Sequence, residues 1–192
     1  MVRAATALFD ALRSVDRVLD VGRRADIDRL PFADASFDVV VCRQRLQLLP
    51  DRTRALGEVR RVLVRGGRVA LTVGGPIERS PAFVALADAL ERHAGAHAAA
   101  TVRRLFSLPN LEDLEASLAS VDFADIRVAA VQATASLPST AQMLRFVPRS
   151  GASHTEPTRS RVIAELEREL APWTGPEGLQ VSVEVHTAVG RR

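Results

Sequence analysis

The chain has 192 residues, enough for one domain with a sizeable core, and its 47% apolar and 26% charged content is that of a globular protein. No run approaches the ~18 apolar residues of a membrane span; aromatic residues at 4% and a net charge of +3 leave little to stack or attract nucleic acid. The single cysteine, Cys42, excludes an internal disulfide and a multi-cysteine metal site.

All 26 basic residues are arginine, mixed with 23 acids along the chain, so the high pI reflects arginine's refusal to titrate. The N-terminal segment carries Arg3 and Asp10 and no cleavage-type ending. The expectation is a cytoplasmic protein without a signal peptide.

Residues 4–15 place Ala4, Ala7, Leu8, Ala11, Leu12 and Val15 at helical spacing. Residues 18–21 form a short apolar strand. Residues 37–42 form a second, β-branched enough to be buried on both faces of a parallel sheet. Asp51 caps a helix running to about Val64, with Leu56, Val59, Val62 and Leu63 inside and Gly66-Gly67 ending it. Residues 68–73 are the next strand. Ser80-Pro81 opens a helix in the preferred cap-then-proline order, with Phe83, Leu86, Ala87 and Leu90 inward. Asn110 opens another, with Asp113 placed for a capping box. Residues 126–131 read as a strand, 139–147 and 158–171 as helical, and 148–157 as a loop. Residues 179–189 alternate apolar and polar, which predicts a half-buried antiparallel strand near an edge, with His186 facing solvent. Trp173 reads as a core anchor.

Strands alternating with helices predict an α/β fold with a mostly parallel sheet and an antiparallel C-terminal strand. The chain reads as one domain over residues 1–192, with a mostly helical region at 76–178 suited to a substrate or lid role.

Three blocks carry a family pattern. They are Val18-Leu19-Asp20-Val21-Gly22, then Asp26-Ile27-Asp28-Arg29-Leu30-Pro31-Phe32 leading into Ser36-Phe37-Asp38-Val39-Val40, then Arg61-Val62-Leu63-Val64-Arg65-Gly66-Gly67-Arg68. Together they resemble the class I S-adenosylmethionine-dependent methyltransferases of the UbiE-like, type 11 group. The resemblance is dense over residues 18–75 and implies a Rossmann-like sheet, S-adenosylmethionine as cofactor and a small-molecule acceptor. It places Asp20 and Gly22 at the cofactor turn. It places Asp26 where an acid accepts from the adenine amino group and Ile27 where an apolar residue packs on the adenine. Cys42 and Arg43 fall on the cofactor side of the crevice, and Gln44 and Gln47 on the acceptor side. The transfer is an in-line displacement governed by positioning, so no fixed catalytic residue is expected, and no metal.

The departures define a second reading. The family's Asp-x-Gly-x-Gly-x-Gly turn appears here as Asp20-Val21-Gly22-Arg23-Arg24. No acid matches the ribose-binding position, and Gly74 stands where tryptophan is common. A parallel crossover needs about a dozen residues or more, so Gly22–Ala25 cannot hold one. Part of the N-terminal half of the sheet is missing, and the face beside its first strand is expected to need the N-terminal helix, a partner subunit or a second copy to cover it. Each hydrogen bond lost from the cofactor turn is worth about 1 kcal/mol. The alternative to an enzyme is therefore a degenerate relative with weak or lost cofactor binding, serving as an interaction subunit or standing as an incomplete copy.

His93 and His97 have the i, i+4 spacing of a metal pair, but Gly95 lies between them. His154, in the late loop, reads as a surface residue.

Overall fold

The computed structural model describes residues 17–22, 26–147 and 155–192. The expected helix at 4–15, Arg23 and Arg24, and most of the loop at 148–157 with His154 lie outside them.

Among the described residues, six strands form one sheet: β1 (Val18–Asp20), β2 (Phe37–Arg43), β3 (Leu63–Gly74), β4 (Ala124–Leu137), β5 (Thr174–Gly175) and β6 (Gly178–Arg191). Their order is β1-β2-β3-β6-β4, with the two-residue β5 pairing with β6. β1, β2 and β3 run parallel, and β6 lies antiparallel to both β3 and β4. Val39, Val40, Val41 and Cys42 are all buried, as a strand covered on both faces requires. Ala70 and Thr72, on the face opposite Val69 and Leu71, are buried as well, so both faces of the sheet are covered at β3.

The α-helices among the described residues are α1 (Arg52–Val62), α2 (Pro81–Ala94), α3 (Ala96–Arg103), α4 (Leu111–Ala119) and α5 (Glu156–Glu169). Asp51 caps α1 as expected, its carboxylate accepting from the Arg54 N–H at 2.9 Å. Leu56, Val59 and Val62 bury the inner stripe of α1 together with Val40, Cys42, Leu71, Leu114 and Leu118 in one core. A second core gathers Phe83, Leu86 and Leu90 of α2 with Val162 and Leu166 of α5 and with Val181 and Val183 of β6. Glu165, 7% exposed, ties α5 to α2 through Arg92 and through His93, whose Nε2 lies 2.6 Å from the carboxylate.

The Leu30–Phe32 segment owes its shape to α1. The Glu58 carboxylate accepts from the Leu30 N–H at 2.9 Å, and Arg61 donates to the carbonyls of Leu30 and Phe32 at 3.1 and 2.9 Å. Arg61 also binds Glu58 and Asp34. The Arg61 guanidinium holds the Glu58 carboxyl below the usual carboxylate range. Two sequence blocks about thirty residues apart thus form one clamp.

Several expectations are corrected. β6 lies one strand in from the sheet edge, paired on both sides by β3 and β4, so it is more buried than an alternating pattern suggests, and His186 is 2% exposed with Gly75 packed against its ring. Trp173 is 48% exposed, held on a short 3₁₀ turn at Ala171–Trp173 rather than in the core. Residues 140–146 form a 3₁₀ helix. β4 is longer than residues 126–131, because Ala129, Ala130, Ala133 and Ala135 hide its extent. α1 passes straight into β3 at Leu63, ahead of Gly66, which bends the strand with a φ of +78°. Neither Ser80 nor Asn110 caps a helix with its side chain. Ser80 instead accepts from the Glu184 N–H at 3.3 Å, and Asn110 donates to Asp113.

Candidate functional site

The carboxyl ends of β1, β2 and β3 open on one side of the sheet, the position at which parallel α/β sheets form crevices. Asp20 ends β1 and Arg43 ends β2. They are half exposed and joined in an ion pair across the crevice floor. Gly22, two residues after Asp20, is exposed, and among the described residues a Cβ built there meets nothing within 4 Å. Among the described residues, none covers the backbone beside the pair.

Asp26 is exposed and its Oδ1 accepts from the Asp28 N–H at 3.2 Å, closing a local turn. Ile27 is 1% exposed and belongs to the core on the α1 side. Cys42 lies at the crevice only through its backbone. Its side chain enters the same core, and burial pushes the thiol up to about 12. The folded protein is therefore expected to resist iodoacetamide at pH 8, with Cys42 labelled only after unfolding. Mass spectrometry of native and denatured samples checks this, and rapid native labelling would contradict it.

Gln44 follows Arg43 in the left-handed region with a φ of +50°, a conformation costly for a residue with a Cβ. Its N–H donates to the Thr72 carbonyl at 2.7 Å, which locks the turn to β3. Gln47, 3% exposed on the short 3₁₀ turn Leu46–Leu48, donates from Nε2 to Gln44 Oε1 at 3.1 Å. The Ser107 hydroxyl donates to the Gln47 carbonyl at 2.7 Å. A non-glycine residue held in this region by surrounding bonds is frequently found at a working site.

Beside Gln44 lies a cavity of about 60 Å³, lined by Gly74 and by side chains that include Leu48, Phe83, Phe106 and Phe146. Phe83 packs edge-on against Phe106 at 5.1 Å and tilted against Phe146 at 5.0 Å. The three rings come from α2, from the 3₁₀ turn at Arg104–Phe106 and from the one at Thr140–Phe146. Sequence reading places Phe83 inward but gives no sign of the other two, because nothing periodic links positions so far apart. Gly74 shows why no tryptophan stands there. A Cβ at this position would lie less than 3.0 Å from the Leu105 carbonyl oxygen.

His93 and His97 do not converge: Gly95, at a φ of +86°, breaks the helix between them, and His93 is engaged by Glu165.

The structure thus joins Asp20 with Arg43 and Gln44 with Gln47, places Gly22 beside the first pair, and sets Asp26, Ile27 and the Cys42 side chain apart from them.

Comparison with known proteins agrees in sequence and in fold. A family described as "Methyltransferase domain" matches residues 4–71. A malonyl-[acyl-carrier protein] O-methyltransferase of Erwinia pyrifoliae is 33% identical over 138 residues, covering 70% of this chain and 47% of that protein. The Geobacter sulfurreducens protein of the same name is 28% identical over 94% of this chain and 67% of its own length. The 27-O-demethylrifamycin SV methyltransferase of Amycolatopsis mediterranei is 39% identical over 34% of this chain and 28% of its own. The chain thus spans about half, or less, of two of these relatives. Among solved structures, a Bacillus halodurans protein whose methyltransferase designation is provisional superposes with a TM-score of 0.58 at 16% identity, covering 98% of this chain and 97% of that one. The YcgJ protein of Bacillus subtilis gives a TM-score of 0.52 at 16% identity over 88% of this chain and 69% of its own.

Proposed function

For a chain that belongs to the class I S-adenosylmethionine-dependent methyltransferases of the type 11 group, we propose that the crevice at the ends of β1 and β2 binds S-adenosylmethionine and serves methyl transfer to a small-molecule oxygen acceptor. The observation that carries the proposal is the Asp20–Arg43 pair. The amino-acid end of S-adenosylmethionine carries one ammonium and one carboxylate. A half-exposed carboxylate and guanidinium facing each other offer both complements, each to be exchanged for the ligand's opposite charge. Beside them, the open backbone at Gly22 admits close approach.

When bound, the sulfonium supplies an activated methyl carbon. Asp20 and Arg43 bind the zwitterion, Gly22 lets the ligand lie against the backbone, and Gln44 marks the border with the acceptor cavity. Positioning of this kind lowers the barrier without acid–base help from the protein. The names of all three relatives specify an oxygen as the methylated atom, which favours an oxygen here.

Burial of Ile27 favours the second reading, a scaffold without tight cofactor binding, because its side chain leaves no open face for adenine. Charge exchange gives a test. Asp20→Asn and Arg43→Gln are each expected to weaken S-adenosylhomocysteine binding about tenfold, the loss of one charge-assisted hydrogen bond. Both positions are exposed, so thermal stability stays near the parent's. Unchanged affinity in both variants would remove this pair from the site.

A further inference from the structure

The cavity beside Gln44 carries information about the acceptor that the cofactor crevice does not. Among the described residues its lining contains no charged side chain: Gln44 is its one polar member, and the rest is apolar or glycine. The volume of about 60 Å³ is room for roughly four to six water-sized positions, given about 10–15 Å³ for each. That suits a group of a few carbon atoms rather than a whole ligand.

A carboxylate or ammonium placed there would lose its hydration with nothing to replace it. Three phenylalanines invite comparison with a cation cage. The edge-on contact between Phe83 and Phe106, however, already occupies one ring's face with the other's edge. Among the described residues no carboxylate lines the cavity to support a cation. Gln44 is held by its backbone bond to Thr72 and by Gln47, so its amide stands at a fixed place on the wall. An amide there can donate to an oxygen but cannot compensate a full charge.

We infer that the acceptor is a neutral alcohol whose small apolar end enters the cavity among Phe83, Phe106 and Phe146 and whose hydroxyl meets the Gln44 amide. The inference rests on the proposed methyl transfer for its chemistry and on the cavity for its selectivity. In the reaction, the hydroxyl oxygen gives a lone pair to the methyl carbon of the sulfonium donor. The carbon–sulfur pair returns to sulfur, leaving a thioether, and the hydroxyl proton passes to water. Gln44 neither takes nor gives that proton; it positions the oxygen.

The test uses three probes of one shape, butan-1-ol, butyrate and butylammonium, titrated into the full chain while the ring signals of Phe83, Phe106 and Phe146 are followed by nuclear magnetic resonance. Butan-1-ol is expected to shift all three rings and to bind at least tenfold more tightly than either charged probe. Val183→Phe, which fills the cavity from β6, is expected to abolish those shifts. Equal or tighter binding of butyrate or butylammonium would overturn the inference, as would rings that respond to none of the three. S-Adenosylhomocysteine binding, measured separately by calorimetry, keeps the two proposals apart. Butan-1-ol binding without it preserves the neutral pocket and removes methyl transfer; the reverse removes the pocket chemistry alone.

Discussion

Gly178→Ala is expected to destabilise the fold by about 2–5 kcal/mol, combining a residue strained at positive φ with a steric overlap. Gly178 opens β6 with a φ of +92°, and a Cβ there would lie less than 3.0 Å from the Leu137 carbonyl oxygen. That oxygen belongs to the backbone of β4, whose Leu137 is the register partner of Leu179. Leu137 ends β4 and Gly178 begins β6, so relief has to come from opening that end of the longest pairing in the sheet. For a domain of this size the fall in melting temperature is roughly 5–20 °C. Gly57→Ala is the control. It lies in α1 with nothing within 4 Å of its Cβ, so the change is expected to raise stability by up to about 1 kcal/mol. Thermal melts of both variants by circular dichroism check the pair. A Gly178→Ala protein melting with the parent would refute the β4–β6 geometry.

The second large effect falls on the site. Gly74→Ala drives a methyl group into the Leu105 carbonyl and to 3.0 Å from the Phe106 ring. The turn carrying both must move, and Phe106 leaves its packing against Phe83. The expected result is a loss of about 1–3 kcal/mol in stability, as for other overpacked positions. More tellingly, butan-1-ol should no longer shift the Phe83 and Phe146 signals, while S-adenosylhomocysteine affinity stays as in the parent. Calorimetry and resonance titration of one preparation read both quantities. Persistent butan-1-ol binding would place the acceptor elsewhere.

Much of this architecture is legible in the sequence for identifiable reasons. The β-branched run at 37–42 reads as a doubly buried strand and is one. Asp51 reads as a cap and caps. Asp20 and Arg43 are found at one crevice because strand ends in a parallel sheet converge, whatever their separation in sequence. What escaped is of another kind. An alternating strand looks half buried whether it lies at an edge or inside, and only the pairing of β6 with both β3 and β4 decides. His186 reads as polar and exposed, yet the small size of Gly75 lets the chain fold over it. Trp173 reads as core by its bulk, yet it ends a short 3₁₀ turn and is exposed. Phe106 and Phe146 come from separate 3₁₀ turns, and only tertiary folding brings them to Phe83.

The same contrast separates the two ends of the crevice. The charged pair and the open glycine favour the amino-acid end of the cofactor. At the positions that the resemblance assigns to adenine, Asp26 is engaged by its own turn and Ile27 by the core. Binding then depends on few contacts, and its strength is the quantity on which the functional reading turns. Calorimetric titration of the chain with S-adenosylhomocysteine measures it directly. The account predicts saturable heat with a dissociation constant at or below about 100 µM, a binding free energy near −5.5 kcal/mol. No heat at millimolar ligand would contradict it and leave the scaffold without its cofactor.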